Sequence, residues 1–133
     1  YVFTVAADSN TTESDRTIMA SNNFTDSAIV DNINVTTNIT PFYSGTNNNF
    51  TVSLSDSNGN APTNINTVFL AFNNKDARLG PISTELTKVD EGTYSGSGAY
   101  LSQAGQWEAK ITVQRTDDYD LNHSFNFDIQ NPP

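Results

Sequence analysis

The sequence predicts an all-β protein: an immunoglobulin- or fibronectin-like antiparallel β-sandwich of about seven strands, with one further strand at the N-terminus. Three observations carry this expectation. Apolar residues return at every second position in run after run, the period of a strand with one dry face and one wet face. The 8 Phe, 5 Tyr and single Trp fall mostly within those runs. No stretch of ten or more residues shows the three-to-four spacing of an amphipathic helix.

The clearest strand is Gln106–Gln114, where Trp107, Ala109, Ile111 and Val113 alternate with polar neighbours. Phe125, Phe127 and Ile129 repeat the pattern, so the two runs form an antiparallel pair joined across Thr116–His123. Trp107, with Phe125 and Phe127, is the expected anchor of the core.

From the start of the chain, Tyr1–Ala7 alternates Tyr1, Phe3 and Val5 with Val2 and Thr4 and reads as a strand. Asp8–Ser27 is polar and without period, a linker. Residues 1–27 are thus expected to be an N-terminal strand and linker, and residues 28–133 the sandwich domain. Ile29–Ile39 is the first strand of that domain, ended by Pro41, which cannot donate to a central ladder. Phe50, Val52 and Leu54 form the next, followed by the Asn58-Gly59 turn. Thr67–Phe72 is almost wholly apolar and expected to be buried on both sides. Ser83–Val89 and Thr93–Leu101 flank the turn Asp90-Glu91-Gly92, and Gly96 and Gly98 would allow close packing or a bulge. Ala104-Gly105 leads into the Trp107 strand.

A chain of 133 residues is long enough for one domain with a sizeable core. The formal net charge of −9 and the lack of any Lys/Arg cluster argue against nucleic acid and anionic lipid as partners. With no cysteine, disulfides, thiolate metal sites and thiol nucleophiles are excluded. No complete transmembrane span is present, and Tyr1–Ala7 is too short to be one. Asn-x-Ser/Thr acceptor sequences for N-glycosylation stand at Asn10, Asn23, Asn34, Asn38, Asn49 and Asn122, hardly more than a composition so rich in Asn, Ser and Thr would give by itself. The composition suits an extracytoplasmic domain, at the cell surface or secreted.

Candidate chemistry gathers near His123, the sole histidine. Asp118, Asp120 and Ser124 are close in sequence, as a hydrolytic triad would want, but no Gly-x-Ser-x-Gly elbow accompanies them. The expected histidine is a solvent-exposed loop residue and the protein is not an enzyme. The same loop offers His123, Asp118 and Asp120, with Asp117, as ligands to Cu(II) or Zn(II), and the carboxylates alone to Ca²⁺. Asp56-x-Asn58-x-Asn60 opens like a calcium loop but lacks its glycine and closing glutamate, and Gly96-x-Gly98 lies in a strand instead of before a helix.

From Thr40 onward a longer pattern runs through the chain: Pro41, Gly45-x-Asn47-x-x-Phe50-x-Val52-x-Leu54-x-Asp56, Gly59, Val68-x-Leu70, Gly80-Pro81 and Leu86, then Gly92-x-Tyr94-x-x-x-Gly98-x-Tyr100-Leu101, Gly105-x-Trp107, Arg115, Tyr119-Asp120 and Phe125-x-Phe127. It resembles the extracytoplasmic C-terminal domain of copper-resistance and copper-transport membrane proteins, the CopC/CopD fusions, and the related YtkA- and FixH-like domains. The resemblance implies an immunoglobulin-like sandwich outside the cytoplasmic membrane, in an accessory role in copper handling. Its partner would be another protein or the membrane-embedded region of the parent protein. Copper-binding members of the CopC group use an amino-terminal histidine with further His and Asp ligands. This chain begins with Tyr1 and has one His, so that ligand set is not carried over. A reading from another class is a glycosylated surface or filament subunit that self-assembles by donating Tyr1–Ala7 to a neighbour's sheet.

Overall fold

A computed structural model describes residues 23–76 and 79–132, the side chains at 79 and 80 excepted. Eight strands make up these residues and no helix occurs among them: β1 Phe24–Val30, β2 Ile33–Thr40, β3 Asn48–Ser55, β4 Ile65–Asn74, β5 Leu79–Asp90, β6 Thr93–Gly98, β7 Gly105–Arg115 and β8 Leu121–Ile129. They form one sheet in the order β1-β2-β3-β6-β5-β4-β7-β8, antiparallel throughout. The all-β sandwich expected from the alternation is the fold.

β5 makes one sheet into two layers. Residues Ile82–Leu86 pair with β4, whereas Thr87, Lys88 and Asp90 pair with β6 on the other layer. A strand that changes partner midway turns the sheet through a corner. The layers β1-β2-β3-β6 and β4-β7-β8 then face each other, the strand arrangement of an immunoglobulin-like domain with β1 added at one edge. Register puts most large apolar side chains inward, with Ile29, Ile82 and Val89 left exposed. Trp107, Phe50, Phe72, Ile39, Leu70 and Ile111 are among the fully buried side chains. The indole is not left unsatisfied: its Nε1 donates to the Gln103 carbonyl at 2.9 Å. Thr67–Phe72 is buried on one side only, with Val68, Leu70 and Phe72 inward and Phe69 and Ala71 half-exposed.

The first and last strands finish side by side, which brings the sheet close to a barrel. No backbone ladder joins β1 to β8 among the described residues. Side chains close the seam instead. The Phe24 ring lies 5.1 Å from that of Phe42 and 5.6 Å from that of Phe125, both stacked, and 5.4 Å from that of Phe127.

The first strand differs from expectation. Ile29–Ile39 is not continuous: the chain reverses at Asp31 and Asn32, with φ of 51° and 63°. Two successive left-handed residues make the tight hairpin turn whose twist suits the flanking strands, and Asp and Asn tolerate that conformation best after glycine. The separate strand Phe24–Val30 therefore begins inside the stretch expected to be linker, with alternation too weak to stand out because its inward set includes Asp26. The Thr93–Leu101 strand ends at Gly98, although Leu101 is still fully buried and its carbonyl accepts from Gly45 N at 2.8 Å. The expected strand Tyr1–Ala7 lies outside the described residues.

Candidate functional site

His123 is not in a loop. It is the third residue of β8 and faces inward at the seam, half-buried, with the ring beside Phe125. Its Nε2 is 2.8 Å from Asp26 Oδ2 on β1. Inward-pointing polar groups on an edge strand are a known guard against edge-to-edge association, and here two of them satisfy each other. Thr37, the register partner of Asp26 on β2, is fully buried, and its hydroxyl has no hydrogen-bond partner among the described residues.

The acidic tip is built around a cation to which the sequence reading gave a place in the resemblance pattern but no role. Arg115 ends β7 with its side chain 8% exposed. Its guanidinium meets Asp31 Oδ2 at 3.0 Å and Asp118 Oδ2 at 3.7 Å, and its Nε donates to the Tyr119 carbonyl at 2.8 Å. Arg115 thereby ties the β7–β8 connection to the β1–β2 turn. Asp118 also accepts from Asn64 Nδ2 at 3.4 Å. Asp117 and Asp120 are exposed. The structure thus separates the three expected metal ligands: His123 turns to Asp26, Asp118 to Arg115, and Asp120 to solvent. No group of three His, Cys, Asp or Glu side chains placed to hold a metal ion occurs among the described residues.

A second residue missed from sequence is Asn48, fully buried where β3 begins. Its Oδ1 accepts from Phe42 N at 2.9 Å and Tyr43 N at 3.3 Å, while its Nδ2 donates to the Tyr43 carbonyl at 3.0 Å. The side chain stands in for a missing strand across the 41–47 loop, which in turn bonds to the tail through Ser44 N and the Gln130 carbonyl at 2.9 Å. Asn at such a position looks like any loop asparagine until its burial is known.

At one end of the sandwich, Ala61, Pro62, Thr63, Ile65 and Tyr94 line a cleft of about 410 Å³, with the Lys88–Glu91 pair (3.0 Å) at its side. Burial pushes the Tyr94 phenol above its ordinary 10.0, an effect that Lys88 opposes. The hydrogen bond that Lys88 donates to the Glu91 carboxylate raises Lys88 in turn. This cleft holds no nucleophile–base pair and no convergent acids.

The two outer faces of the sandwich differ in kind. On β1, β2, β3 and β6, the outward positions number fourteen and thirteen are Ser, Thr or Asn, so these four strands put no charge on this face, and the half of β5 beside β6 adds only the exposed Asp90, paired with Thr93, at its end. One row, Thr25–Asn38–Thr51–Ser95, crosses all four strands in register. Ile29, 74% exposed, is the exception at one rim. The opposite face carries Glu85, Glu108, Lys110 and Asp128 around the half-exposed Phe69 and Ala71. Ala71, Phe72, Asn73, Pro81, Glu108 and Lys110 line a shallow groove of about 230 Å³ there.

Comparison of the chain with protein-family models, with curated proteins and with solved structures finds no match. Copper, which the sequence resemblance brings into question, is tested on the donors alone. The one imidazole is engaged with a carboxylate, cysteine is absent from the chain, and the carboxylates nearest in sequence are held by Arg115 or point away. This donor set does not fit a copper centre.

Proposed function

We propose that this chain is a non-enzymatic, extracytoplasmic β-sandwich module of a copper-transport or copper-resistance type of membrane protein, acting by docking and not by ligating the metal. The observation that carries the docking part is the unequal pair of outer faces. A face of mixed charge around an apolar groove has the make-up of a polar-rimmed contact surface. The uncharged face of Ser, Thr and Asn gives a partner hydrogen bonds that water supplies equally well. The partner is a protein or the membrane-embedded region of the parent protein, met through β4 and β7. The copper association comes from the sequence pattern alone.

A photo-reactive amino acid placed at position 110, and separately at position 53, tests this in the cells that make the protein. Cross-linking from 110 to a membrane-embedded copper-transport protein, with none from 53, is the expected outcome. Adducts from 53 alone would overturn the docking assignment.

The filament-subunit reading has one observation in its favour: among the described residues no ladder pairs β1 with β8, so neither strand has a backbone ladder partner on its seam side within that set. Light scattering behind size-exclusion chromatography separates the readings, because donor-strand polymers do not elute as monomers.

A further inference from the structure

We propose that the uncharged face carries N-linked glycan at Asn49 and Asn34, and that the hydrogen bond from Thr25 Oγ1 to Asn38 Oδ1 silences the Asn23 and Asn38 acceptor sequences. The proposal rests on the extracytoplasmic reading. On a strand, residues two apart point the same way, so each Asn and the hydroxyl two residues later share a face. Transfer forms a bond from Asn Nδ2 to C1 of the sugar. The bond from C1 to the phosphate of a lipid carrier breaks, the amide gives up a proton, and the phosphate leaves on the carrier. The enzyme must reach both the carboxamide and the hydroxyl.

The structure ranks the sites on that basis. Asn49 is exposed, directly follows the 41–47 loop and Asn48, and neither it nor Thr51 has a side-chain partner among the described residues. Asn34 is exposed, two residues past the hairpin turn, and its carboxamide has no side-chain partner among the described residues, although its Thr36 hydroxyl shares a hydrogen bond of 3.2 Å with Ser27 in which Thr36 can be the acceptor. Asn38 is half-buried, and its Oδ1 accepts from Thr25 Oγ1 at 2.6 Å. Thr25 is itself the third residue of the Asn23 sequence, so one bond occupies the amide of one site and the hydroxyl of the other. Asn122 is on the opposite face, its Oδ1 accepting from Thr112 Oγ1 at 3.1 Å. Asn10 lies outside the described residues. A neutral face of hydroxyls and amides also suits a sugar coat, since no charge there is desolvated beneath it.

The test presents the folded full chain to membranes that contain an N-oligosaccharyltransferase and its lipid-linked donor, with glycopeptides mapped by mass spectrometry. Occupancy at Asn49 and Asn34 is expected to exceed that at Asn23, Asn38 and Asn122 by about tenfold, the factor one hydrogen bond represents. Thr25→Val is expected to raise Asn38 occupancy, and Asn38→Ala that at Asn23, with the circular dichroism of both variants unchanged. Asn38 occupancy equal to that at Asn49, an unmodified Asn49, or no response to Thr25→Val overturns the inference. Enzyme and donor are supplied, so this outcome is independent of the protein's compartment. The extracytoplasmic reading fails separately, if the protein from its own cells fractionates with the cytoplasm.

Discussion

Removing the Asn48 carboxamide strands the Phe42 amide, whose bond to it is buried. A buried donor without a partner costs far more than a hydrogen bond contributes on average, so Asn48→Ala is expected to lose about 1–3 kcal/mol in urea unfolding. Asn47→Ala, one residue away and exposed, is expected to lose under about 0.5 kcal/mol. Arg115→Met is expected to keep the aliphatic packing of the stem yet release Asp31 and Asp118, lowering stability by about 1–2 kcal/mol at low salt and by less at 1 M salt. A loss insensitive to salt would show that only packing was removed. Tyr94 gives a check by titration. Its phenol is held above 10.0 by burial, so the folded state retains a proton that the unfolded chain gives up. Its contribution is complete below pH 10 and is lost as pH rises through the folded value. Absorbance at 295 nm is expected to show a late tyrosine step that vanishes in Tyr94→Phe. At this scale the sequence spoke clearly for Trp107, Phe125 and Phe127, whose size and alternation leave few places but the core. It assigned no role to Asn48 or Arg115, because polar residues owe their roles to partners distant in the chain.

Among the elements, the β1–β2 hairpin is where local chemistry decides most. Asn32 holds a φ of 63°, a strain that glycine does not feel. Asn32→Gly is therefore expected to be neutral or to stabilise by up to about 1 kcal/mol, whereas Asn32→Val is expected to lose about 1–2 kcal/mol. Gly92 is the reverse case. With φ of 74°, an added Cβ would come within 2.6 Å of the Leu54 carbonyl oxygen. Gly92→Ala is expected to shift the β5–β6 turn and to lower the midpoint of thermal unfolding by several degrees. Strand existence was legible from β2 to β8: buried sets of period two mark β2, β3, β4, β7 and β8, and the Asp90-Glu91-Gly92 turn separates β5 from β6. The boundary before β2 was not, because the Asp31-Asn32 pair is a weaker turn signal than Asn-Gly and reads as polar positions within one strand.

Across the whole molecule, the seam and the unequal faces depend on contacts that no local pattern announces. Asp26 and His123 are ninety-seven residues apart and meet only because the sheet curls almost shut. In a double-mutant cycle, Asp26→Asn and His123→Gln are expected to show a coupling of about 1 kcal/mol. The loop position expected for His123 followed from its polar neighbours, and the inward-facing aspartate that satisfies it lay in a stretch without evident period. The faces could be written down from sequence once register was known, but register came from the fold. Whether the charged face is the contact surface is measured most directly by amide hydrogen exchange. In the presence of membranes from the cells that make the protein, slower exchange is expected at Phe69–Asn73 and Glu108–Lys110, with β2 and β3 unchanged. Protection confined to β2 and β3 would contradict the docking assignment.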